Sequence, residues 1–165
     1  MYQFESMPVN AKVWVYAANR IFTADEQKAI ENSGRTFASK WLSHDIKLKA
    51  SFDILHGVFL VLMVDENVNP AGGCATDTSY HFIREIEKEF SVQLFNRMQV
   101  ELMKDENIII TSKQGATTLF NEGKIGEETF FFNKSIISKK EFDEKFMIPF
   151  SGSWVFYSIR QTESI

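Results

Sequence analysis

Cysteine, proline and histidine are scarce in this chain: one, three and three among 165 residues. A lone thiol, Cys74, forms no internal disulfide and cannot supply a cysteine-rich zinc site, which is the cysteine usage of a reducing compartment. Excess positive charge is missing too. Eighteen Lys and Arg stand against 22 Asp and Glu, for a net charge of -4, and both halves of the chain, divided after Ile83, hold two more acids than bases. The electrostatic footprint that a phosphate backbone demands is therefore absent, and nucleic acid is not expected as a partner. The longest apolar run, Val58 to Val64, falls far short of the ~18 residues of a membrane span. The first residues hold Glu5 and no basic stretch followed by an apolar one, so they do not read as a signal peptide. These features predict a cytoplasmic protein.

Nucleotide-binding signatures are lacking as well. Gly72-Gly73 has no lysine after it, and Gly123-Lys124 continues with Ile125 and has no glycine five residues before it, so no phosphate-binding loop is present. Neither a Gly-x-Ser-x-Gly elbow nor a Gly-x-Gly-x-x-Gly fingerprint occurs. No cofactor and no metal site are expected.

What is abundant is phenylalanine. Seven of the sixteen, from Phe130 to Phe156, fall in the last 36 residues. Rings left in water would make an adhesive patch, so this end is either docked on a core or part of an interface, and docking is the commoner use.

Periodicity supplies the elements. Residues 12–16 form an aromatic and β-branched strand. Thr23 and Glu26 have capping-box spacing, and Ile30, Phe37, Ala38, Trp41 and Leu42 recur behind them as the inner face of a first helix, interrupted by Gly34. Residues 48–54 alternate as a half-buried strand, His56-Gly57 turns the chain, and 58–64 is apolar on both faces, like a covered central strand. A second helix is expected over 77–90, then strands over 98–103 and 108–111. This order is the split βαββαβ of an α+β, ferredoxin-like core with a mostly antiparallel sheet. A single domain follows, with its core over about 11–111 and a C-terminal helix and strand extension over 112–165. That extension comprises a short helix ending near Gly123, a strand over 129–132, a second capping box at Ser138 and Glu141, and a last aromatic segment over 154–159.

The stretch from Asn69 to Ser79 is the most unusual. Small and hydroxyl residues surround Cys74 just before the second helix. Free amides there, with Gly73, Thr76, Asp77, Thr78, Ser79 and His81, offer a ligand seat whose field would also activate the thiol. The plainer reading is that Thr76, Asp77 or Ser79 caps the helix; every helix needs a cap, and the Asp77 carboxylate would compete with a phosphate for the amides. In the expected topology, His44 lies at the same end of the sheet as Cys74. A thiol with an imidazole in reach, oriented by Asp77 or Asp45, is the minimum of a nucleophilic site, set against a solvated histidine and a buried packing cysteine. Asp77, His81 and Glu85 share one helix face, as a weak metal site or an ion-pair ladder would. His56 is expected exposed, Asp65-Glu66 is a strand-end acid pair, and Asn19-Arg20 suits an anionic ligand or a salt bridge.

Several of these residues resemble a family of small uncharacterised bacterial proteins that are often labelled "ABC transporter ATPase". The resemblance rests on Met7-Pro8, Val13-Trp14-Val15-Tyr16 with Asn19-Arg20, Lys49-Ala50-Ser51-Phe52, Val64-Asp65-Glu66, Gly73-Cys74 with Asp77, Ser79 and His81, and Phe95-Asn96-Arg97-Met98. It differs at Gly72, Ala75 and Thr76, where the family often has Ser, Ser and Ile. It implies no activity, substrate or catalytic residue, and the missing phosphate loop argues against the ATPase label. The sequence thus points to a binding or interaction module, with a protein partner or small ligand and a homodimer among its candidate states. The rival is a ligand-binding protein or enzyme built on Cys74, Asp77, Ser79 and His44.

Overall fold

The computed structural model describes residues 4–163. Its regular elements are β1 (Lys12–Ala17), α1 (Ala24–Lys40), β2 (Leu42–Ser43), β3 (Ile46–Lys47), β4 (Ala50–Leu55), β5 (Phe59–Val64), α2 (Gly73–Phe90), β6 (Val100–Lys104), β7 (Asn107–Thr111), α3 (Lys113–Asn121), β8 (Phe130–Phe132), α4 (Lys139–Lys145), β9 (Met147–Pro149) and α5 (Trp154–Glu163). The protein is mixed α and β, and its sheets are antiparallel. The chain divides into two compact units, one running to Phe95 and including Ser135–Asp143, the other made of Asn96–Lys134 and the chain from Glu144 onward.

In the first unit the strand order is β1-β5-β4. All six residues of β5 are buried, as a strand without a polar face must be. α1 begins with the expected capping box: the Glu26 amide donates to Thr23 Oγ1 and the Thr23 amide to Glu26 Oε1. Gly34 marks a close approach, because a Cβ there would overlap the Phe52 ring on β4. Arg20 is engaged within the fold. It donates to both carboxylate oxygens of Glu26, at 2.8 Å each, and to the Phe90 carbonyl at the end of α2. Asn19 accepts from the Gln93 amide.

β1, β4 and β5, the first three strands of the expected core, share one sheet, but the expected fourth, β6, lies elsewhere. Residues 137–139 run along the outer edge of β1, where the Val13 amide donates to the Ile137 carbonyl and the Lys139 amide to the Ala11 carbonyl. With that edge occupied, β6 pairs with β7 and β8 in the second unit.

The second unit has the sheet order β7-β6-β8-β9. Val100, Leu102, Phe131, Phe150, Val155 and Phe156 form its core with α3 and α5. Of the seven C-terminal rings, Phe131, Phe132, Phe146, Phe150 and Phe156 are buried and Phe130 is exposed, and Phe150 and Phe156 meet each other and Phe120 at 5.5–5.8 Å between centroids. The last aromatic segment, from Trp154, is helical. β6, expected in the core over 11–111, thus pairs with β8 of the expected C-terminal extension, and the second unit starts at Asn96.

Candidate functional site

The helix that carries Cys74 begins at Gly73, four residues before the expected start. Its first turn is held by tertiary contacts rather than by a side-chain cap. Ala75 is buried, and its carbonyl accepts the indole N–H of Trp41 at 2.9 Å. The Gly72 amide donates to Ser43 Oγ, and the preceding loop is braced by Glu66, which accepts from the Ala71 amide, and by Asn69, which donates to the Ser43 and Ile46 carbonyls. Asp65 is likewise engaged, with Lys49 at 3.2 Å and with the Asn67 amide.

These contacts change what the small residues can do. Thr76 and Thr78 donate their hydroxyls to the carbonyls of Gly72 and Cys74, and buried Ser79 donates to the Thr76 carbonyl. All three hydroxyls turn back along the helix, as mid-helix Ser and Thr do. Gly73, Cys74, Asp77 and His81 are exposed. His44 and Asp45 occupy the turn of the β2–β3 hairpin, both left-handed with φ of 51° and 64°. The turn carries the His44 Nε2 to 3.4 Å from where a Cβ of Gly72 would sit. Imidazole and thiol therefore sit near one helix end, and no hydrogen bond joins them among the described residues. His81 lies edge-on to the Tyr80 ring, at 5.8 Å. No group of three His, Cys, Asp or Glu residues that could hold a metal ion is found among the described residues. His56 is exposed in the β4–β5 turn, edge-on to Phe59.

Beside this helix end lies a cavity of about 380 Å³, lined by Thr36, Phe37, Lys40, Trp41, Leu42 and Thr78. Trp41 is 2% exposed and presents its ring, because its N–H is engaged by Ala75. Phe37 stacks on Phe82 at 4.3 Å and leans on Trp41 at 5.2 Å, which fixes the aromatic wall. Leu42, also in the lining, is 44% exposed. Thr78 follows Cys74 by about one helical turn, so the two share a helix face, of which Thr78 lines the cavity.

Comparisons of the chain with family models, with curated proteins and with solved structures find no match.

The sequence reading assigned Phe37, Trp41 and Leu42 to the buried face of α1. Trp41 is buried as expected and Phe37 half-buried, and Leu42 is the one of the three that is exposed. A second group went unnoticed in the other unit. Glu101, 0% exposed in β6, lies 2.6 Å from Lys134 Nζ through Oε1 and accepts from Lys134 and Gln99 through Oε2. Burial pushes the Glu101 carboxyl up and the Lys134 ammonium down, and their mutual attraction opposes both shifts. An acid between Val100 and Leu102 in a strand was the sign of it.

Proposed function

We propose that this protein is a non-catalytic binding module whose ligand is a small molecule with a flat apolar body and an anionic group, held in the cavity beside α2. The carrying observation is the cavity itself: an aromatic wall of Phe37 and Trp41, a Leu42 rim, and the Lys40 ammonium as the one charge in its lining. A concave, mainly apolar site of a few hundred Å³ with few polar groups is the usual form of a small-molecule site. The hydroxyls of Thr76, Thr78 and Ser79 are engaged by helix carbonyls, which supports binding over catalysis. On this reading the first unit is a ferredoxin-like relative whose fourth strand position has been taken by residues 137–139, and the protein works in the cytoplasm, where a lone cysteine stays reduced. The likeness to the family labelled "ABC transporter ATPase" adds no functional support, and no nucleotide chemistry is proposed.

A second reading rests on the exposure of Cys74 on the helix face it shares with Thr78: the thiol itself is the working group, with His44 nearby. One experiment separates the two. Isothermal calorimetry with 2-naphthoate as probe is expected to give measurable binding to the wild type, a dissociation constant raised at least about tenfold in Leu42→Glu, and no change in Cys74→Ser. Loss of binding in Cys74→Ser would favour the thiol reading, and equal affinity in all three would place the probe elsewhere and overturn the cavity reading.

A further inference from the structure

The second unit's sheet has two edges, and they are built differently. β9 has three residues and ends on Pro149, a residue that blunts an edge. β7 has five, Asn107-Ile108-Ile109-Ile110-Thr111, with no proline, no lysine and no break in its register against β6. Natural sheets usually protect such an edge.

The hairpin geometry shows which groups this edge presents. The β6–β7 turn is the two residues Asp105 and Glu106, both left-handed, so Lys104 and Asn107 close it as a hydrogen-bonded pair. Alternation then directs the amide and carbonyl groups of Asn107, Ile109 and Thr111 toward β6 and those of Ile108 and Ile110 outward. Among the described residues nothing else bonds to Ile108 or Ile110.

We infer that β7 pairs antiparallel with β7 of a second copy of this chain, joining two four-stranded sheets into one of eight strands. The edge is complementary to itself. With a two-fold axis at Ile109, Ile108 of each copy faces Ile110 of the other, and the two pairs exchange four backbone hydrogen bonds and two isoleucine contacts. Charge selects the same arrangement. Asp105 and Lys113 each lie four residues from Ile109 along the chain, one in the turn before β7 and one at the start of α3 after it, and both are exposed. Antiparallel pairing thus brings the acidic turn of one copy to the Lys113 end of the other, whereas a parallel alignment would set acid against acid. This inference concerns the second unit and does not depend on the cavity.

Sedimentation velocity on the full chain tests it. The wild type is expected to dimerise, more weakly at high salt. Asp105→Lys and Lys113→Glu each set like charges together at both ends of the interface and should raise the dimer dissociation constant about tenfold or more. Mixing the two variants restores opposite charges at both ends, so the mixture should dimerise where each alone does not, which also shows that both are folded. In hydrogen exchange the Ile108 and Ile110 amides should gain protection with dimerisation, while Ile109 is protected throughout. A wild type that stays monomeric at about millimolar concentration would overturn the inference and leave an extended peptide of another protein as the edge's partner. So would variants that dimerise as well alone as mixed.

Discussion

At the scale of single residues, two ion pairs of opposite character stand out. Glu26 is held well below the usual carboxylate range, at about 2, first by its hydrogen bonds from Arg20 and then by the Thr23 amide. A carboxyl with a depressed folded pKa adds stability above its unfolded value, near 4.5, and loses it as the pH falls toward 2. Wild type and Glu26→Gln should therefore differ in Tm at pH 6 and converge between pH 4.5 and 2. A difference that persisted at pH 2 would assign the effect to packing. Glu101 and Lys134 are the buried case. Glu101→Leu or Lys134→Met alone strands a charge in the interior and should cost about 3–5 kcal/mol in urea denaturation, whereas the double replacement should recover most of that loss. Additive losses would show that the two groups do not act as a pair.

At the scale of elements, legibility followed the locality of the cause. The α1 capping box and the apolar run of β5 are written in neighbouring residues, and the structure places them as expected; β4 forms as a strand, but its burial does not alternate, since Ser51 is buried and Ile54 only half-buried. Gly34 was legible as either a close contact or a weakness, and the Phe52 ring decides for contact. The start of α2 was not legible, because what fixes it is the indole of Trp41 and the hydroxyl of Ser43, some thirty residues away. Sheet membership was hidden for the same reason. β6 has a strand's composition whichever sheet it joins, and it is Phe131 opposite Leu102 that assigns it to the second unit. The candidate site is half visible in the sequence: Cys74 and His44 stand out and do come to one helix end, and Trp41 is buried as expected, while Leu42, expected on the inner face, is exposed at the cavity.

At the scale of the whole molecule, two compact units are threaded by one chain that passes between them at Phe95, Lys134 and Asp143. Among the described residues no helix is long and apolar enough to cross a membrane. The first unit carries the cavity and the second the open edge, so the proposed ligand capture and the proposed self-association fall in different units and should be separable by mutation. Leu42→Glu should leave the sedimentation profile unchanged, and Lys113→Glu should leave probe affinity unchanged. The central claim is that the α1–β2–α2 cavity is a binding site. Its most direct measurement is a titration of ¹⁵N-labelled protein with 2-naphthoate, followed by amide and indole resonances. The account predicts saturable shifts concentrated at the Trp41 indole N–H and the backbone amides of Leu42 and Thr78. Resonances that stay still at those three positions up to the solubility limit of the probe would contradict it.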